Sequence, residues 1–337
     1  MPDTKINSNN NDFTKINDSI NEFIQIIKNF DKMNIKEIEP TTKNINKYIF
    51  EGDISIVIDE LVNLIFNKLN EGNDEIIIKQ HVLNYINPGN NKKINSQEID
   101  NWLLNNQNNS NSIYLFGYFN YHGIEIDLNR KKAIELYHKS AELGNYVAQI
   151  DLANIYIHGK GVEKNPDFAF KLSKKLAEKG IPNAINRLGY CYNNGVGTVI
   201  DKQKAFESYK KAADLGNSTG ISNLGYCYKN GFGTQINIQK AFDLYQKAAD
   251  LGNSYGINNL GWCYDGGVGT NVDRQKAFEL YQKSANLGNY LGQYNIALIY
   301  EIGDLVEEDI DQAIYWYKKS AEQGYKHAQK KLDKLIK

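Results

Sequence analysis

His122 and His158 stand 36 residues apart, and each directly precedes a glycine. Two imidazoles at such a spacing hold a metal only with further ligands close by, and no nearby cysteine or paired carboxylates accompany them in sequence. His81, His138 and His327 are scattered, and no Ser-His-Asp or Cys-His arrangement emerges from the spacing. The motif Gly-x-Gly-Thr recurs at 195–198, 231–234 and 267–270. A phosphate loop needs a strand before it and a helix N-terminus aimed at the phosphate; here the motif follows a helical pattern, which makes it a helix stop. Cys191, Cys227 and Cys263 again fall 36 apart. Equivalent positions in stacked helices lie about 9–10 Å apart, too far for a disulfide, so the thiols are expected as small buried side chains in a reducing compartment. Catalytic, metal-binding and cofactor-binding residues are therefore expected to be none.

The spacing of these residues belongs to a larger pattern. Glycine recurs from Gly144 through Gly180, Gly216, Gly252 and Gly288 to Gly324, and again from Gly123 to Gly303, always at 36 residues. Alanine does the same from Ala133 to Ala313 and from Ala141 to Ala321. A period of this length without insertions predicts a solenoid, each unit burying its apolar face against its neighbours. In the third unit, helix A is expected over about 183–193 with Ile185, Leu188, Gly189 and Tyr192 inward. Gly195 then stops it. Asp201 is expected to cap helix B, as are Asn129, Asn165, Asn237, Asp273 and Asp309 in the other units. Helix B turns Ala205, Phe206, Tyr209, Ala212 and Ala213 inward and ends at Gly216. The small residue at 189 and its equivalents (Gly117, Ala153, Gly225, Gly261, Ala297) lets helices A and B approach closely.

Residues 1–12 are polar and Asn-rich, expected to be disordered. Residues 13–104 read as a helical module: apolar spacing from Phe13 to Ile27, a break at Pro40, then helices over about 54–69 and 75–86. A short fourth helix follows, capped by Asn95, with Ile99, Trp102 and Leu103 inward. A polar linker is expected over 105–112, the array over 113–325 and a capping helix over 326–337. The 337 residues carry 39 basic and 40 acidic side chains, a net charge of −1, so no strong field draws nucleic acid or anionic lipid. The amino terminus has no apolar run, and the most apolar stretch, 54–66, is broken by Asp59, Glu60 and Asn63. No membrane span is expected, and the localisation expected is cytoplasmic.

The third unit, Asn186-Arg-Leu-Gly-Tyr-Cys-Tyr-Asn-Asn-Gly-Val-Gly-Thr198 and then Lys204-Ala-Phe-Glu-Ser-Tyr-Lys-Lys-Ala-Ala-Asp-Leu-Gly216, resembles the Sel1-like repeat. That pattern is L-G-x-x-Y-x-x-G-x-G, a capped loop, then K-A-x-x-x-Y-x-K-A-A-x-x-G. Units three to five match almost throughout. Unit two has Ser173 in place of the tyrosine, and units one and six lose the second loop glycine at Glu125 and Leu305. The resemblance implies an all-α, right-handed superhelix of antiparallel helix pairs that acts as a scaffold or adaptor for proteins. The part from about Ile54 to the first unit also resembles segments preceding such repeats in expanded fungal families, some with a kinase domain upstream. This chain has no Gly-rich loop, H-R-D or D-F-G of its own. Related cysteine-rich repeat proteins pair two cysteines per repeat and are linked to β-lactam binding; with at most one per repeat here, that property does not carry over.

Position 190 lies about 200° around helix A from Leu188, at 100° per residue, and leans away from the core. Its equivalents are Tyr118, Asn154, Tyr226, Trp262 and Leu298. If helix A lines the concave side, as the resemblance implies, Tyr190, Tyr226 and Trp262 form an aromatic stripe along a groove. Asn186, Asn223 and Asn259 flank it as groups able to bond peptide backbone. The competing expectation is that the stripe only packs one repeat against the next. The function expected is a non-enzymatic scaffold holding a protein or peptide in the concave groove, with no nucleic acid, membrane span or small-molecule substrate. A regulatory part of a kinase system and, further off, a hydrolase are the alternatives.

Overall fold

Six Asx side chains open the second helix of six hairpins. Asn129, Asn165, Asp201, Asn237, Asp273 and Asp309 each accept a hydrogen bond from the backbone amide three residues on. Each bond satisfies an amide that has no partner within its helix. The structure, a computed structural model, describes residues 39–86 and 96–336.

Three helices precede the hairpins: α1 (Glu39–Asn70), α2 (Glu75–Ile86) and α3 (Ser96–Asn105). The first hairpins pair α4 (Ser110–His122) with α5 (Arg130–Glu142), α6 (Tyr146–His158) with α7 (Pro166–Glu178), and α8 (Pro182–Asn194) with α9 (Lys202–Asp214). The next are α10 (Ser218–Asn230) with α11 (Ile238–Asp250), α12 (Ser254–Gly266) with α13 (Arg274–Asn286), and α14 (Tyr290–Ile302) with α15 (Ile310–Glu322). The last helix is α16 (Lys326–Leu335), whose Ala328 joins the core of Ala297, Ala313 and Tyr317. Among the described residues there is no strand, and the fold is an all-α solenoid.

The chain divides into two units, Met1–Ile54 and Ser55–Lys337. The described residues of the first are the opening turns of α1. In the second, helices A of consecutive hairpins touch (α6 with α8, α8 with α10, α10 with α12, α12 with α14) while helices B of neighbouring hairpins do not come as close. Helices A therefore line the inner side of the array.

Close approach of A on B rests on glycine. A Cβ at Gly189 would stand 2.8 Å from the Tyr209 ring, and one at Gly225 2.8 Å from the Tyr245 ring. Each tyrosine is buried, and the same contact joins Gly117 to Tyr137 and Gly261 to Tyr281. Ala153 has no ring to meet, because Ser173 replaces the tyrosine there. The three cysteines are free and buried, and burial pushes their thiols up to about 11.

Two boundaries differ from expectation. The residues expected as a linker over 105–112 already belong in part to α4, because Asn109 accepts from the Ser112 amide and opens the helix at Ser110. Pro40 does not break the chain: it sits at the second residue of α1, where a missing amide hydrogen costs no intrahelical bond. The helix expected over 13–27 and the cap Asn95 lie outside the described residues.

Helix B is capped one residue before the expected stop at Gly216, since Leu215 is the cap (φ −86) and Gly216 follows it at φ +83. Nothing lies within 4 Å of a Cβ built at Gly216 or Gly252. Gly216→Val or Gly252→Val is therefore expected to destabilise by more than about 1 kcal/mol through backbone strain alone. An unchanged melting temperature would contradict that assignment.

Candidate functional site

Three of the six helices A, α8, α10 and α12, carry in order a glycine against their own helix B, an aromatic residue, and a cysteine buried at 0–1% exposure: Gly189-Tyr190-Cys191, Gly225-Tyr226-Cys227, Gly261-Trp262-Cys263. With the neighbours on both sides committed to packing, the middle residue is left out of the core. Tyr190, Tyr226 and Trp262 are 36%, 40% and 37% exposed, whereas the core leucines Leu224 and Leu260 are 6% and 2%. The Lys229 ammonium lies 4.1 Å from the Trp262 ring and 5.5 Å from the Tyr226 ring, tying the two together. Tyr190 sits 5.9 Å from the His158 ring.

The three asparagines occupy two different registers. Asn223 and Asn259 are equivalents of Arg187, and Ser222 and Asn258 are equivalents of Asn186. The amide of Asn223 donates to Asn186 Oδ1 at 2.8 Å, that of Asn259 to Ser222 Oγ at 3.4 Å, and that of Asn295 to Asn258 Oδ1 at 3.0 Å. They stitch one helix A to the next.

The N-terminal edge of the same helices holds a segment of the chain itself. The turn after α1 docks there through its carbonyls: Asn183 Nδ2 donates to Leu69 O at 2.8 Å, Asn217 Nδ2 to Asn70 O at 2.9 Å, and the Ser218 amide to Glu71 O at 2.9 Å. The Gly72 carbonyl accepts from Thr219 Oγ1 at 2.7 Å, Ser218 Oγ at 3.2 Å and Asn253 Nδ2 at 3.3 Å. The Asp74 carboxylate accepts from the hydroxyl and backbone amide of Ser254, at the start of α12. Asn217 and Asn253 do two jobs, since their Oδ1 atoms cap their own helices through the amides of Gly220 and Gly256. Sequence reasoning missed this contact. The signal for it was the asparagine that follows each glycine of the first ladder, at 145, 217, 253 and 289, absent only where Ile181 and Tyr325 stand.

Beyond the turn, α2 runs over the inner faces of the first hairpins, where charged groups converge in a cleft of about 880 Å³. Glu75 accepts from Lys160 Nζ at 2.9 Å and lies 3.7 Å from His122 Nδ1. Arg187 donates to Asn183 Oδ1 at 2.8 Å and to Asn154 Oδ1 at 2.6 Å. The Tyr114 hydroxyl donates to Asp151 at 2.8 Å. Desolvation pushes the Asp151 carboxyl up to about 7, although Tyr114 and Arg187 favour its charged form. Desolvation also holds His122 and His158 down to about 4.

Spacing along the chain did not reveal this convergence. Chemically, Asp151 can exchange a proton near neutrality, but no serine, cysteine or lysine side chain is hydrogen-bonded to it or to either imidazole among the described residues. The cluster therefore presents no activated nucleophile. No group of three or more metal-ligating side chains forms among the described residues, and none of their helices is long and apolar enough to cross a membrane.

The sequence profile of the Sel1 repeat family matches six consecutive segments, 110–145, 147–181, 182–217, 219–253, 254–289 and 291–325. Among solved structures, the chain is similar to a Sel1 repeat protein from Oxalobacter formigenes at 25% identity, covering 74% of this chain and 97% of that one, with a TM-score of 0.55. It is also similar to a protective antigen of uropathogenic Escherichia coli with an SLR fold, at 24% identity over 89% of this chain and 67% of that one, with a TM-score of 0.46. No curated protein sequence matches the chain.

The Asp151 carboxyl, protonated up to about pH 7 when folded and only to 3.8 otherwise, contributes stability that is lost as pH rises between those values. The two histidines act oppositely between their ordinary value of 6.5 and about 4, because the unfolded chain binds protons that the folded one refuses. Asp151→Asn removes only the first effect. Its melting temperature relative to the parent is expected to rise from pH 4 to pH 7 and then to stay level; a pH-independent difference would show that Asp151 ionises normally.

Proposed function

Because the chain belongs to the Sel1 repeat family, we propose that it is a scaffold that holds a protein or peptide against the inner side of its helices A. Proteins of this family are typically protein-interaction scaffolds. The observation that carries the reading for this chain is the segment already seated there: five carbonyl and carboxylate groups of residues 69–74 accept hydrogen bonds from helices A. A surface that pairs so many backbone groups of one polypeptide is chemically fitted to take another.

The contact residues proposed are Tyr190, Tyr226 and Trp262, which lie further along the same helices. Their rings offer large area at small entropic cost, and about two-fifths of each remains uncovered. Lys229, between two of them, adds a donor and a charge. Asn186, Asn223 and Asn259 support the site by setting the spacing of the helices that carry the rings. The partner proposed is a folded protein or a peptide, and the compartment proposed is the cytoplasm. No observation favours the kinase-linked reading or the hydrolase reading over this one.

The test is a proximity-labelling experiment that identifies a partner, followed by binding measurements with the full chain. Tyr226→Ala combined with Trp262→Ala is expected to abolish binding, as truncating central aromatic anchors does. The pair should lose less stability than Leu224→Ala with Leu260→Ala, where each substitution costs about 2–5 kcal/mol. Equal loss of stability in the two pairs would assign the rings to packing between repeats instead.

A further inference from the structure

The turn that docks on the inner side is the C-terminal end of a helix closed in a particular way. The Asn73 amide donates to Lys68 O at 3.1 Å and the Gly72 amide to Leu69 O at 3.0 Å, with Gly72 at φ +82. These are the two bonds of a glycine-capped helix end, which satisfy some of the last carbonyls and leave the following ones pointing outward. Those outward carbonyls, of Asn70, Glu71 and Gly72, are the ones bonded by Asn217, Ser218, Thr219 and Asn253.

Electrostatics point the same way. The carbonyl end of α1 carries the negative pole of its dipole, and it meets the first turns of α8, α10 and α12, which carry positive poles. Asp74 adds a carboxylate at the third of these. Shape is equally restrictive. A Cβ at residue 72 would lie 2.7 Å from the Thr219 nitrogen and 2.8 Å from the Ser218 nitrogen, both backbone atoms that cannot swing away. The surface accepts glycine alone at that point.

We propose that the N-terminal edges of α8, α10 and α12 form a receptor for a glycine-capped helix C-terminus with an aspartate two residues after the glycine. The chain's own Asn70–Asp74 fills it, and a helix end of the same chemistry from a second protein binds there in exchange. This rests on the reading that the inner side binds polypeptide, and it names a second place on that side with its own ligand chemistry, apart from the aromatic stripe.

Two variants of the full chain test it. Gly72→Val removes the fit from the segment side. Asn217→Asp with Asn253→Asp removes it from the receptor side, since aspartate keeps the Oδ1 that caps each helix but has no amide to donate. In both, hydrogen exchange at the Ser218 amide is expected to rise about tenfold or more while the Tyr281 amide stays protected. A labelled synthetic peptide of residues 58–76 is expected to bind the Gly72→Val chain, and to bind neither the parent nor the asparagine variant. The same peptide carrying valine in place of Gly72 should not bind.

Parent-like exchange at Ser218 in both variants would overturn docking through these groups. An opened Gly72→Val chain that ignores the peptide would overturn the receptor and leave the segment as a fixed brace. If Gly72→Val exposes Tyr281 as well, the chain has lost its fold, and exchange at Ser218 in the asparagine variant decides. The Tyr226→Ala and Trp262→Ala pair lies outside these contacts, so failure of the aromatic-stripe reading and failure of this one give separate results.

Discussion

A tyrosine ring lying directly on a glycine of the facing helix is the contact on which the rest of the array depends. Gly189 against Tyr209 and Gly225 against Tyr245 bring helices A and B closer than any Cβ would permit. Each repeat is too thin to bury an apolar face by itself, so its stability comes from stacking on the next. Close pairing makes the stack dense enough for alanine and cysteine to fill it, and Ala205, Cys227 and Ala248 are all at 0% exposure. The same contact orients helix A. Once position 189 faces helix B and 191 faces the preceding repeat, 190 has nowhere to point but the inner side.

The inner side is a row of donors as well as a row of rings. Helix N-termini always carry unpaired amides, and in this array they stand side by side because the repeats do. The asparagine caps answer the amides with Oδ1 and turn Nδ2 outward. A row of that kind calls for acceptors, and the outward carbonyls of a capped helix end supply them. Where Ile181 and Pro182 stand in place of the cap, the helix has no side-chain cap bond, and Asn183 supplies the donor to the turn instead.

Electrostatics in the cleft are decided by desolvation. His122 and His158 sit where a helix dipole favours a cation by a fraction of a kcal/mol to about 1 kcal/mol. At His122, whose side chain is only 9% exposed, removing an imidazolium from water costs more than that, so it remains neutral. Asp151 shows the same rule with opposite sign: desolvation keeps its proton on to about pH 7 despite the Arg187 guanidinium nearby.

The sequence by itself determined the repeat unit, its caps and its core, because these are local: a 36-residue period, an Asx before each helix B, and apolar residues at helical spacing act within one hairpin or its neighbour. All six helix B caps and the burial of the three cysteines were legible for that reason. The position of Tyr190, Tyr226 and Trp262 followed from helical angle alone. The bonds among the asparagines were not legible, since Asn223 reaches Asn186 across a step of 37 residues that a search for a strict 36-residue repeat does not see. Only the tertiary structure decided where the turn at 69–74 sits, because it meets residues more than a hundred positions away. It likewise decided that Glu75, Asp151 and Arg187 share one cleft. Contacts of that separation depend on how the array curves and where the chain enters it, and no local pattern encodes either.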